Sequence, residues 1–170
     1  MNSEIEPTLQ NEIVRAISRE DMAALPIRRY EGEVNLVATS QDLERALADL
    51  LQESVVGFDT ETRPAFKKGE TYLPCLVQAA TARRVYIFQL RQPQVFGLLA
   101  ELLTEKRVVK AGVALAYDLR SLKLLFPFTE ANVLDLGSVA RRCRLDQTGL
   151  RNLAGIFLGV RIPKGARLGR

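Results

Sequence analysis

A mixed α/β fold, one sheet with helices packed on its faces, follows from three observations. Two apolar runs, Leu76–Ala80 and Val85–Leu90, are separated only by Thr81-Ala82-Arg83-Arg84, a hairpin signal. After that hairpin, short apolar runs alternate with stretches of helical periodicity, the pattern of parallel strands joined through helices. Before it, Val55-Val56-Gly57-Phe58 reads as a buried strand that runs directly into Asp59-Thr60-Glu61-Thr62. The chain of 170 residues suits one domain with a sizeable core, and a hydrophobic content of 47% argues against disorder for its bulk.

The elements follow in order. Residues 7–24 read as an amphipathic helix, with Pro7 in its first turn, a stripe of Leu9, Ile13, Ala16 and Ile17, and Pro26 beyond its end. Val34–Thr39 is a short strand. Ser40 caps a helix that runs to about Gln52, with Leu43, Ala46, Leu47, Leu50 and Leu51 inward. The acidic strand spans 54–60, and residues 63–70 form a loop punctuated by Pro64 and Gly69. The hairpin makes the first three sheet strands antiparallel neighbours. Helices are then expected over 93–105, 114–125, 136–144 and 148–158, with Gly159 as the last C-cap. Strands are expected over 107–112 and 132–134. The last residues, 163–170, carry Gly, Pro and charge without periodicity.

Composition narrows the chemistry. There is no histidine, which removes a Ser-His-Asp triad, a histidine base and the usual zinc sites. Cys75 and Cys143 are far apart, match no zinc spacing and are expected as reduced thiols in or near the core. No apolar run reaches the roughly 18 residues of a membrane span. The acidic, polar start does not fit a secretory signal, so the expected location is the cytoplasm. The net charge of +4 is unevenly spread, with residues 1–62 at −8, 63–140 at +5 and 141–170 at +7. A basic C-terminal third beside an acidic motif suits a polyanion, although a solvated basic surface would give the same count.

The acids carry the argument. Asp59 and Glu61 stand at i and i+2 on an extended backbone, so both side chains leave the same side of the sheet. Two carboxylates held there repel each other unless a cation lies between them, and hard cations such as Mg²⁺ or Mn²⁺ take oxygen ligands of this kind. A third acid, Asp118, lies one turn into the helix after strand 107–112, beside an inward face of Leu115, Leu119 and Leu122. Taken alone, Asp118 would more often be an exposed helical acid paired with an arginine. Asp135 reads as a helix N-cap. Phosphate contacts are sought among Lys67, Lys68, Arg120, Arg141, Arg142 and Arg144, and stacking contacts at Phe66 and Tyr72.

GFDTET, the Cys-Leu-Val-Gln-Ala-Ala strand, Arg-Val-Tyr-Ile-Phe, VKAGVALAYDLRSL, VLDLGSVARR and LRNLAGIFLGV occur here in one order. Together they resemble the DEDD-superfamily 3′–5′ exonucleases, above all ribonuclease D and the exonuclease domain of the Werner syndrome helicase. The resemblance runs from about residue 33 to the end. It implies an RNase H-like mixed sheet, three antiparallel strands followed by parallel ones, in residues 31–170, with residues 1–30 as a helical extension. It implies two divalent metals, Mg²⁺ or Mn²⁺, held by Asp59, Glu61 and Asp118. These acids would cut nucleic acid, RNA or DNA, from its 3′ end. Thr60, Thr62, Phe66, Lys67 and Arg120 would contact the substrate. A later Tyr-x-x-x-Asp or His-x-x-x-Asp motif of the family has no match. Asp146 is preceded four residues earlier by Arg142, and Asp135 by Ala131. The resemblance thus implies a C-terminally shortened domain, a homo-oligomer or partner that completes the site, and weak or absent activity. The alternative is a non-catalytic nucleic-acid-binding or protein-interaction module on the same fold.

Overall fold

The computed structural model describes residues 14–67 and 69–163. Six strands form one sheet: β1 (Glu33–Val37), β2 (Val55–Thr62), β3 (Pro74–Ala80), β4 (Arg84–Gln89), β5 (Val109–Gly112) and β6 (Val133–Asp135). Their spatial order is β1-β4-β3-β2-β5-β6. The pairs β2/β3 and β3/β4 are antiparallel, while β2/β5 and β5/β6 are parallel, as the hairpin and the later alternation predict. The antiparallel trio is therefore β2, β3 and β4. The first strand of the chain stands outside it, since β1 pairs in parallel with β4 at the sheet edge. Polar side chains pin that edge. Arg84 Nε donates to Glu33 at 2.8 Å, and the Tyr86 hydroxyl donates to Asp49 at 2.8 Å.

One face of the sheet carries the main core. Helices α2 (Ser40–Leu50), α3 (Val95–Thr104) and α4 (Leu115–Leu122) lay their apolar stripes against Val37, Val56, Phe58, Val77, Ala79, Tyr86 and Phe88, all buried. On α4 the buried residues are Leu115, Leu119 and Leu122, as their spacing predicts. Thr39, not Ser40, caps α2. Its hydroxyl accepts from the Asp42 N–H while the Asp42 carboxylate accepts from the Thr39 N–H, a reciprocal capping box. Asp135 caps α5 (Leu136–Arg142) by accepting from the Ser138 N–H at 3.0 Å, as expected. Helix α6 (Leu150–Leu158) ends at Gly159, which takes the left-handed conformation of a C-cap.

The N-terminal segment departs from expectation. Of the helix predicted over 7–24, residues 7–13 lie outside the described residues, and only α1 (Arg19–Ala24) is helical in the rest. The Gln147 side chain takes both the N–H and the carbonyl of Ile17, so that backbone cannot join a helix. Ser18 then caps α1 through the Asp21 N–H. The chain runs on as a strap. Arg28 and Arg161 exchange backbone hydrogen bonds with the neighbouring chain, and the Tyr30 hydroxyl donates to the Arg83 carbonyl. The two cysteines also differ from the reading. Both are free but exposed, and the Cys75 thiol donates to the Glu61 carbonyl. Among the described residues, no helix is long and apolar enough to cross a membrane.

Candidate metal and nucleic-acid site

The site is built at the C-terminal end of β2. Asp59 pairs in register with Gln78, and the ladder is interrupted between Glu61 and Thr62, where the strand leaves the sheet toward Pro64. Alternation along β2 buries Val56 and Phe58 on the helical side and turns Val55, Gly57 and Asp59 to the other. Asp59 and Glu61 therefore share the open face, and Thr60 lies on the helical side.

Asp118 comes to the same strand end from the helical side. The turn from β5 into α4 is very tight. A Cβ on Gly112 would stand 2.3 Å from the Phe58 carbonyl oxygen, so only glycine lets β5 turn this close to β2. Ala114 then adopts a left-handed conformation at φ 63° and starts α4 without a side-chain cap. This conformation is uncommon for a residue with a Cβ. Asp118 falls in the first turn of α4, where the helix dipole favours negative charge. Its Oδ1 accepts a hydrogen bond from the Thr60 hydroxyl at 2.8 Å.

Electrostatics mark the three acids as a group. Removal of water raises the Asp118 carboxyl above its ordinary value, the Thr60 bond opposes this, and the charges of Asp59 and Asp135 add to it. Glu61 is raised first by desolvation and then by Asp59 and Asp118. Although Asp59 reaches solvent, the protein around it also raises its carboxyl by desolvation. Among the described residues none of the three stands in an ion pair. An all-carboxylate donor set without a cationic partner fits a hard divalent ion. As the side chains are placed, however, no three His, Cys, Asp or Glu among the described residues are close enough to hold one.

The expected substrate contacts divide. Thr62 lines a pocket of about 320 Å³ beside the acids, together with Arg63, Glu70, Tyr72 and Tyr117. Phe66 is 85% exposed, and Lys67 and Arg120 are exposed as well. Lys68 lies outside the described residues. Thr60 is committed to Asp118 instead. Tyr72 already carries the Arg63 guanidinium 3.6 Å over its ring and donates its hydroxyl to Glu70. One aromatic side chain escaped the sequence reading. Tyr117 precedes Asp118, is 56% exposed and lines the same pocket. Its place beside an acid on a helical segment was the available signal.

Comparison with known proteins agrees with this geometry. Residues 34–170 match the 3′–5′ exonuclease family. The human exonuclease mut-7 homolog is 33% identical over 130 residues, which cover 67% of this chain and only 15% of that protein. The EXO domain of Aedes aegypti Nibbler has the same fold, with a TM-score of 0.70 at 23% identity, over 86% of this chain and 78% of that one. The ribonuclease D of Trypanosoma brucei in complex with RNA U12 superposes with a TM-score of 0.56 at 22% identity, over 63% of this chain and 38% of that one.

Proposed function

The chain belongs to the 3′–5′ exonuclease family, and from that premise we propose that it acts on the 3′ end of a nucleic-acid strand, with Asp59, Glu61 and Asp118 holding Mg²⁺ or Mn²⁺. The observation that carries this reading is the approach of Asp118 to the Asp59/Glu61 strand end, three acids from two separate elements with no cationic partner among the described residues. A divalent ion bound there would neutralise charge at the phosphorus and activate water. The chain's own groups bind and orient the strand. The pocket lined by Thr62, Arg63 and Tyr117 suits a terminal base, since an exposed aromatic face offers stacking and the guanidinium offers donors. Phe66, Lys67 and Arg120 extend that contact surface. The RNA held by the trypanosomal neighbour supports a single strand as ligand. Residues 31–170 form the nuclease-type unit in this reading, and the strap before them is an extension.

Activity of this polypeptide alone is expected to be weak. Only three acids are assigned, and the described donors are not gathered into an ion's shell. That second observation favours a rival reading, a nucleic-acid-binding module that does not cut. Both are tested with 5′-labelled single-stranded RNA and DNA in Mn²⁺. Slow shortening from the 3′ end, reduced roughly tenfold or more in Asp59→Asn and Asp118→Asn, supports the nuclease. Salt-sensitive binding without shortening favours the module. Absence of binding sinks both.

A further inference from the structure

Thr60 stands between two candidate ligands yet shares neither their face nor their surroundings. On β2 it follows buried Phe58 onto the helical side, and its hydroxyl meets a carboxylate 58 residues away in sequence. A threonine hydroxyl has one proton to donate. Here that proton goes to Asp118 at 2.8 Å, so it is not available to a substrate.

Asp118 needs such a partner. It sits on a helix that starts from a left-handed residue without a cap, it is half-buried, and it feels the negative charge of Asp59 and Asp135. Repulsion from Asp59 tends to swing the carboxylate away from the strand end, which is where a shared ion would need it. The Thr60 bond opposes that swing, holds one oxygen and leaves the other free. Threonine suits the task because its β-branch restricts χ1, so the hydroxyl direction is set by the strand itself. Valine would fill the same space on a strand and give no donor.

We propose that Thr60 is a positioning residue whose hydroxyl holds Asp118 in the orientation that binds the divalent ion. This rests on the reading that Asp59, Glu61 and Asp118 share such an ion, and it reassigns Thr60 from substrate contact to ligand support. Hydrogen-bond partners of this type commonly change metal affinity by 10–100-fold when removed.

The test is Mn²⁺ binding without substrate, followed by the loss of the free-ion paramagnetic resonance signal, for the whole chain and two variants. Thr60→Val keeps the shape and removes the proton, and Thr60→Ser restores it. Thermal unfolding in EDTA checks that all three fold alike. The expected result is Mn²⁺ binding weakened about tenfold in Thr60→Val and returned to near wild type in Thr60→Ser. If wild type binds Mn²⁺ and Thr60→Val binds it equally well, the inference falls alone. It also falls alone if Thr60→Ser is as weak as Thr60→Val. If wild type takes up no Mn²⁺, the metal reading falls and the inference falls with it.

Discussion

The two faces of the sheet differ more than any other two regions of this molecule. On one face, α2, α3 and α4 bury Val56, Phe58, Val77, Ala79 and Phe88 almost completely. On the other, Val34, Leu36 and Val55 are each about half exposed, and the apolar surface continues past Leu136 and Leu150 into a groove of about 350 Å³ between α5 and α6. Exposed apolar area of that extent usually marks a surface that meets something else. Asp59 stands at the rim of this open face, while Asp118 is delivered from the packed one. Rigid packing thus places one acid, and solvent reaches the other two. A site between such faces has a firm back wall and an accessible front, which suits a long substrate that enters by its end.

The contrast is sharpest in core truncations. Leu122→Ala removes a fully buried side chain from the packed face and should cost about 2–5 kcal/mol in urea unfolding. Leu36→Ala on the open face should stay within about 0.5 kcal/mol. A cost at Leu36 comparable to that at Leu122 would mean that the open face is covered in solution. Sedimentation would then show whether a second copy covers it.

Local pattern made the packed face legible. The Leu115, Leu119 and Leu122 stripe, the hairpin, the Asp135 cap and the acids of β2 all follow from neighbours a few residues apart. What stayed hidden depends on distant partners. The predicted helix over 7–24 loses its middle to Gln147, 130 residues away from Ile17. The parallel pairing of β1 with β4 is likewise set by a partner about 50 residues on. Thr60 looked like a substrate contact because nothing local says that Asp118 will reach its hydroxyl. Ala114 hides its turn, since alanine gives no signal for a left-handed conformation. The open face was invisible for a related reason. An apolar run predicts burial, and Val34, Leu36 and Val55 obey the pattern of a strand without finding a cover.

Glycine substitutions probe the same contrast at the backbone. Gly112→Ala would push a Cβ to 2.3 Å from the Phe58 carbonyl and 2.7 Å from a Leu115 methyl. The carbonyl belongs to the central ladder and cannot move freely, so β5 and α4 must shift. The expected loss is about 1–3 kcal/mol, with weaker Mn²⁺ binding because Asp118 moves with α4. Gly57→Ala, on the open face of the adjacent strand, meets only the Ala80 methyl at 3.4 Å. Its stability should change by no more than about 0.5 kcal/mol. Equal effects at the two glycines would show that the tight turn does not position the third acid.

The smallest expected effect is electrostatic, and it changes sign with the metal. Asp118 is raised above the ordinary carboxylate value, mainly because the folded chain excludes water from it. The folded state therefore holds its proton more tightly than the unfolded state. That favourable contribution is complete below the ordinary aspartate range and is lost as pH rises through the elevated midpoint. At neutral pH in EDTA the charged Asp118 opposes folding. Asp118→Asn keeps the acceptor for Thr60 and removes the charge, so it should unfold about 1–2 °C higher than wild type at pH 7. That advantage should vanish near pH 4, where the wild-type carboxyl is increasingly protonated. Saturating Mn²⁺ should reverse the order, because only the wild-type chain gains stability from binding the ion. A variant that is no more stable in EDTA at pH 7 would mean that Asp118 already has a cationic partner in solution. The open strand end would then not be short of a cation, and the argument for a divalent ion there would lose its electrostatic support.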